Sequence, residues 1–408
     1  MYYMSVGRTS PVSQTYTNYY YGASVRCVNG TKPGVITYNA NGGNVIGSMG
    51  EQSASNNASV TLYAPNFKRD GYGFAGWNTA PDGSGTFYGP NQDFTTPSNF
   101  STTGLQLYAI WVQSAGNLQD SSTVTSVCNS LTQAPTDGTA TLSSVSALTD
   151  ARDGNTYAIA KLADGKCWMI ENLRLANKDS SNNDIILSSS NTNNPLLPLT
   201  NTDGTTSNHL SPTTDPYQTS WCNSSTSSCI DQSMIATNNT TLFTNNIPSG
   251  YSISGTNGNV YGYGNYYNWY SVTAGNGQYS SYVENVTGDI CPNGWHLPTG
   301  KNSAGDFGLL DVALGGTGAE STSSTTPTAT NMSNKYRAFP NNYVRSGRAI
   351  SNEIQRGSFG EYWSSTAQTV YYAYIFDDNN SVSVGPGTEI SYKYRSATAR
   401  CVMGNSGN

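Results

Sequence analysis

Within this 408-residue chain, the stretch Cys291-Pro292-Asn293-Gly294-Trp295-His296-Leu297-Pro298-Thr299-Gly300 constrains the fold most. A cysteine offers a covalent anchor, Asn293-Gly294 turns the chain, Trp295 brings a large ring, and Pro298 stops regular structure. The spacing of Phe307, Leu310 and Leu314 then predicts a helix with one apolar face. Ser303 is the expected cap, Asp306 suits the positive end of the dipole, and Gly315-Gly316 is the expected stop.

Charged residues make up only 11% of the chain and aromatics another 11%, with 29 Tyr and 42 Gly, so Ser, Thr and Asn must carry the surface. That balance suits a secreted, β-rich protein, and the aromatic content argues against global disorder. A net charge of -6 leaves no electrostatic footprint for nucleic acid. No apolar run reaches the roughly 18 residues that read as a membrane span.

Further distinctive words occur in order around the Cys291 stretch. Asp153-Gly154-Asn155-Thr156-Tyr157 precedes Trp168-Met169-Ile170-Glu171-Asn172-Leu173, and Trp363-Ser364-Ser365-Thr366 and Arg400-Cys401-Val402 follow. Across about residues 128 to 403 this set resembles the Fibrobacter succinogenes major paralogous (FISUMP) domain. The resemblance implies an extracellular bacterial domain with a C-type-lectin-like fold, and it attaches no activity. The formylglycine-generating enzymes share such a fold, a likeness that says little about chemistry.

Two other segments precede it. Gly34-Val35-Ile36-Thr37-Tyr38, Gly71-Tyr72-Gly73-Phe74-Ala75-Gly76-Trp77 and Leu107-Tyr108-Ala109-Ile110-Trp111 read as strands joined by Asn-Gly and Asp-Gly turns. They resemble the Listeria–Bacteroides repeat, the B repeat of internalin-type surface proteins. Over residues 34–112 that implies a β-grasp-like spacer with Phe74, Trp77, Tyr108 and Trp111 in its core. Residues 1–28 end in Arg26-Cys27-Val28, like Arg400-Cys401-Val402, and Tyr2-Tyr3-Met4-Ser5-Val6 resembles Tyr371-Tyr372-Ala373-Tyr374-Ile375. They read as the closing strands of a preceding FISUMP-like domain, with a signal peptide expected further upstream.

The polar stretch 113–127 reads as a linker. In the third segment, 128–404, a hairpin is expected through Tyr157–Leu162 and Cys167–Ile170, with a type I′ turn at Asp164-Gly165. Residues 177–250 read as a polar excursion, and Gly262–Tyr270 as a Gly- and Tyr-rich strand region. The expected class is therefore α+β and β-rich, a β-grasp-like repeat followed by a C-type-lectin-like domain.

Seven cysteines in a chain of secreted character suggest three bridges and one remainder. Cys291 with Cys401 is the first expected pair, because the two flank the core; closing so long a loop contributes about 4–5 kcal/mol in the entropy model. Cys222 with Cys229 and Cys128 with Cys167 follow, leaving Cys27 for a partner upstream. A zinc cluster is not expected, since no C-x-x-C pair exists and His209 and His296 are the only histidines.

No catalytic constellation is expected. The two histidines lie far apart in sequence, and His296 reads as a structural residue. Glu171 reads as a polar anchor. The segment between Trp363 and Arg400 carries the candidate ligand-binding residues: Tyr371, Tyr372, Tyr374, Asp377, Asp378, Asn379, Asn380, Tyr392 and Tyr394. Tyr372 and Tyr374 should share one strand face, as should Tyr392 and Tyr394. Asp377 to Asn380 should form an exposed hairpin tip, with calcium as an alternative occupant. Tyr and Asn give contact area and adaptable hydrogen bonds at low entropic cost. The reading is a secreted or surface adhesin-like protein that binds a protein or glycan. The alternative is a structural array without a specific ligand.

Overall fold

The computed structural model describes residues 34–42, 45–136, 139–175, 261–274, 284–319, 327–350, 357–369, 372–379, 384–393 and 397–404, with short pieces between and the backbone of several strand pairs. Cys27, His209, Tyr371, Asn380 and Tyr394 lie outside the described residues, as do the side chains of Asn379, Cys222 and Cys229.

The N-terminal unit grows from apolar alternation. Val35–Asn39 pairs in parallel with the start of Leu105–Asn117, placing Ile36 beside Leu105, and Tyr72–Asn78 pairs antiparallel with Leu105–Asn117, placing Trp77 beside Ala109. Ile36, Leu62, Phe67, Phe74, Trp77, Phe100, Leu107 and Ala109 are its buried centre. Trp77 is fully enclosed, its ring 5.0 Å from Phe74 in an edge contact and its Nε1–H donated to Tyr63 O at 2.9 Å. Trp111 packs at the margin and donates to Ala40 O at 2.8 Å. Tyr108 is only partly buried.

Where a linker was expected, the strand simply continues. Leu105–Asn117 runs 13 residues, leaves the N-terminal unit and pairs in parallel with Val145–Thr149 through Ser114 and Asn117. Ser114 Oγ accepts from Thr149 Oγ1 at 2.7 Å. Helix Ser121–Ser130 follows, capped by the Asp120 carboxylate, which accepts from Ser122 N at 3.0 Å and Thr123 N at 3.3 Å. The segment reads as polar because only alternate residues of its strand face inward and because its sheet partner arrives later in sequence. As a result one sheet of ten strands passes through both halves of the molecule.

On the C-terminal side the sheet runs from Val145–Thr149 through Thr156–Lys161, Cys167–Met169 and Val402–Met403 to Trp295–His296. The hairpin expected around Asp164-Gly165 forms, but its loop is longer than a two-residue turn. Gly165 N donates to Leu162 O and Leu162 N to Lys166 O, which puts Gly165 at φ 80° in a bulged loop. The helix after Cys291 spans Asp306–Ala313 and ends against Gly315 at φ 90°. Its cap position is Gly305 without a side-chain bond, so Ser303 does not cap it. Tyr261–Val272 is not a strand region: it holds a 3-10 turn at Tyr261–Tyr263, a bridge from Tyr267 to Ala397 and a short helix, Trp269–Val272.

Two disulfides close this region, Cys291–Cys401 and Cys128–Cys167, with Cα separations of 5.9 and 6.1 Å. Cys222 lies opposite Cys229 across a short backbone pair. Near the start of the chain, Tyr2–Ser5 pairs antiparallel with Ser13–Tyr16, with Tyr2 opposite Tyr16.

Candidate functional site

The closing sheet carries the candidate ligand-binding residues. Phe359–Ala367, Tyr372–Asn379 and Val384–Tyr392 form three antiparallel strands in that order. Trp363 is fully buried at its centre and donates Nε1–H to Tyr267 O at 2.7 Å. Along Tyr372–Asn379, alternation assigns Tyr372, Tyr374, Phe376 and Asp378 to one face and Ala373, Ile375 and Asp377 to the other. The first face is covered at one end, where Phe376 meets Phe307, Tyr336, Tyr343 and Tyr362 at centroid distances of 4.7–5.7 Å.

At its other end this face emerges. Tyr372 stands opposite Tyr392 and Tyr374 opposite Ile390. The rings of Tyr372 and Tyr392 lie 4.4 Å apart, tilted by 36°, and the Arg395 guanidinium sits 4.9 Å from the Tyr392 ring. The three tyrosines are half-buried and Ile390 is 45% exposed. Tyr372 and Tyr374 thus share a face, and Tyr392 joins them from the neighbouring strand.

The acidic residues behave differently from the expected hairpin tip. Asp377 and Asp378 are strand residues, paired with Glu361 and Gly360 on one side and with Gly385 and Val384 on the other. Asp378 is 1% exposed, accepts from Ser333 Oγ at 2.6 Å and Arg345 Nη2 at 3.3 Å, and lies 3.4 Å from Arg337 Nε. Its partners come from more than thirty residues earlier, which a local run of acid and amide residues could not reveal. Asp377 faces Glu361, whose Oε1 accepts from Arg348 Nη1 at 2.7 Å. Glu361 Oε2 and Asp377 Oδ1 are buried without hydrogen-bond partners. Burial, then the charges of Glu361, Asp378 and Glu389, push the Asp377 carboxyl up to about 8. Among the described residues no group of three or more His, Cys, Asp or Glu has the geometry to hold a metal ion.

His296 sits in the short strand Trp295–His296, with Nε2 3.1 Å from Asp306 Oδ2 and Nδ1 3.0 Å from Gly404 O. Lys166 Nζ reaches Asp306 Oδ1 at 2.6 Å, and Thr299 N and Oγ1 donate to Oδ2 at 2.8 and 2.7 Å. Burial opposes the charged imidazole, but the hydrogen bond and charge of Asp306 outweigh it and raise the His296 pKa. This network ties the Cys291–Gly300 stretch to its helix and to the chain's closing strand. Glu171 is likewise an anchor: Oε2 accepts from Ala158 N at 2.7 Å and Phe74 N at 3.0 Å, and Oε1 from Arg174 Nη1 at 3.0 Å.

The Phe74 contact belongs to a larger junction that no sequence pattern announced. Arg337 forks onto Asp93 at 2.8 and 2.7 Å and also donates to Asn91 O. Asn342 Nδ2 donates to Ala75 O at 2.6 Å, and Asp93 N to Asn334 Oδ1 at 3.0 Å. Phe87 stacks on Phe339 with centroids 4.2 Å apart. The backbones approach so closely that a Cβ on Gly73 would stand 2.3 Å from Ala158 N, and one on Gly89 1.8 Å from Arg337 O.

Beside the stacked phenylalanines the junction opens into a cleft of about 360 Å³ lined by Thr86, Phe87, Tyr88, Gln92, Pro135, Thr136, Leu314, Asn334, Lys335, Ala338, Phe339 and Asn341. A second hollow of about 670 Å³ shares Thr86 and Phe87 with it and is walled by residues 139–143.

Residues 35–110 match the family profile of the Listeria-Bacteroides repeat domain. No curated protein and no solved structure matches the chain.

Proposed function

We propose that this chain is a bacterial secreted or cell-surface binding protein, in which a FISUMP-type, C-type-lectin-like region recognises a protein or glycan and the repeat holds it out as a rigid spacer. The Listeria-Bacteroides repeat is a module of bacterial surface proteins, and two disulfides suit an extracellular setting. No described helix is long and apolar enough to cross a membrane. The observation that carries the recognition role is the aromatic face of the closing sheet. Tyr372, Tyr374 and Tyr392 gather with the exposed Ile390 on strands fixed by the buried Trp363 and by Cys401. Clustered tyrosines on a rigid frame offer large contact area with little ordering entropy on binding. The acidic pair takes no part in the contact, because Asp378 is held by arginines in the interior. The proposal includes no catalytic step, and the engagement of both His296 nitrogens supports reading that residue as structural.

The test is binding of the full chain to a panel of cell-surface proteins and glycans, before and after Tyr372→Ala/Tyr392→Ala. Loss of a specific ligand with the fold retained is expected. Unchanged binding would remove the tyrosine face from the account.

A second reading, a structural array without a specific ligand, has one observation of its own. Tyr2–Ser5 pairs antiparallel with Ser13–Tyr16, as Tyr372–Asn379 pairs with Val384–Tyr392 in the closing sheet. Salt-resistant self-association of the chain without any bound ligand would favour it.

A further inference from the structure

We infer that Glu361 and Asp377 share one proton between their carboxyls, and that this proton latches the first two strands of the closing sheet together at one end. The latch lies on the sheet face opposite Tyr372 and Tyr374 and does not depend on what that aromatic face binds.

The two residues stand directly opposite each other where Phe359–Ala367 pairs with Tyr372–Asn379. Opposite residues project to the same face with their Cβ atoms about 4.5–5.5 Å apart, which brings two carboxyls within reach. Trp363 and Ile375, the next opposed pair on this face, are buried in the C-terminal core, so the acids sit at its margin. Glu361 is 1% exposed. Arg348 Nη1 holds its Oε1 at 2.7 Å, whereas no ion pair to Asp377 forms among the described residues. The remaining oxygens, Glu361 Oε2 and Asp377 Oδ1, are both unpartnered and closed to solvent. A buried acceptor normally has a donor. Here the missing partner has to fit without a cavity, because neither oxygen is open to water or to an ion. A proton between the two meets that condition: it makes one carboxyl the donor that the other lacks, and it removes one of two like charges.

The surrounding charges point the same way. Asp378, next along the strand, is already engaged by Arg337 and Arg345. Glu389 arrives from the third strand, where the register steps from Ile375 opposite Glu389 to Asp377 opposite Gly385. This bulge lays Glu389 so close to Gly385 that a Cβ there would stand 2.4 Å from its Cγ. Arg395 adds a second positive charge beside Glu361. Arg348 and Arg395 thus face three carboxyls, Glu361, Asp377 and Glu389, and one proton restores the balance. Burial is the first cause that raises the pKa at both members of the pair, and at Asp377 the charge of Glu361 is the second.

Opening the strand pair frees the proton, since a solvated aspartate loses it near about pH 4. Opening therefore grows easier as pH rises from there, and levels off once the closed pair also ionises at about 8. Tyr372 and Tyr374 belong to the strand that is released, so their support loosens with it. Lys393, just beyond the third strand, is lowered to about 8 by burial and acts with the opposite sign: it firms the fold as pH rises above that value.

The experiment combines infrared difference spectroscopy with hydrogen exchange on the full chain. A protonated-carboxyl C=O band that disappears in Asp377→Asn is expected at pH 7, and in Glu361→Gln it should titrate at lower pH. Exchange protection of the amides in Phe359–Trp363 and Ile375–Asn379, corrected for intrinsic rates, should fall at least about tenfold between pH 5 and pH 8 and stay level in Asp377→Asn. The inference is overturned if no protonated carboxyl at pH 7 depends on Asp377, or if the band titrates in Glu361→Gln as in the parent, which would make burial of Asp377 alone the cause. It is equally overturned if protection in the parent is independent of pH or falls as much in Asp377→Asn. Should Asp377→Asn fail to fold, the band in the parent and its shift in Glu361→Gln decide the matter.

Discussion

In the repeat, Trp77 is enclosed by Phe67, Phe74 and Tyr38, with only backbone carbonyls as polar partners for its tryptophans. In the C-terminal region, buried rings share the interior with buried ions. Arg400 lies against the rings of Tyr343 and Tyr362 and bonds Asn172 Oδ1 at 2.8 Å, Arg152 forks onto Asp150, and Asp378 collects Arg337 and Arg345. The first interior is specified by size and apolarity. The second is specified by hydrogen-bond geometry, local for Arg152 and Asp150 but reaching far along the chain for Arg400 and Asp378, so that removing one partner strands the other.

The largest effect should come from the covalent frame. Opening Cys291–Cys401 by Cys291→Ser/Cys401→Ser should lower the stability of the C-terminal region by about 4–5 kcal/mol in denaturant titrations. Exchange protection at Ile36 and Leu107 should fall with it, although no disulfide constrains the repeat among the described residues, because the shared Leu105–Asn117 strand makes the two regions unfold together. Trp77→Ala tests the other interior and should cost about 3–5 kcal/mol, because a fully enclosed indole leaves a cavity when removed. A sub-kcal effect would mean that the apolar centre of the repeat is not what holds it.

Glu171→Gln addresses the junction between the two. One of its oxygens serves backbone groups on both sides, so the substitution should cost about 1–3 kcal/mol, with fresh exchange at Phe74 N and Ala158 N. The smallest effect is a pH slope. Burial and nearby carboxylates raise Asp377 to about 8, so the folded chain keeps a proton that the unfolded chain loses near pH 4. Its contribution is therefore greatest at acid pH and declines as pH rises towards 8. His296, also raised, acts in the same direction: its stabilisation is complete below about pH 6.5 and lost as pH passes its folded value. Asp377→Asn should flatten the decline measured by melting temperature between pH 5 and pH 8. A slope identical to that of the parent would contradict the burial of this carboxyl.

What the sequence made legible follows the same division. Trp77, Trp363, the pairing of Cys291 with Cys401 and the shared face of Tyr372 and Tyr374 could be read, because large rings, rare cysteines and strict alternation are local or nearly unique signals. The strand through residues 113–117 could not, since half its positions face water and its partner Val145–Thr149 comes later. Asp377 and Asp378 read as a turn because nothing nearby names Arg345 or Ser333 as the complement of Asp378, or Glu361 as the strand neighbour of Asp377. The junction was invisible for a related reason. Gly73 read as a strand glycine and Gly89 belonged to no pattern, whereas both let a distant backbone approach.

The central claim is that the repeat and the C-terminal region form one body, joined by the Leu105–Asn117 strand, Glu171 and the Arg337–Asp93 pair. Differential scanning calorimetry of the full chain tests it most directly. The account predicts a single endotherm whose calorimetric and van't Hoff enthalpies agree, splitting into two when Glu171→Gln is combined with Arg337→Met. Two independent transitions in the unaltered chain, unmoved by those substitutions, would contradict it.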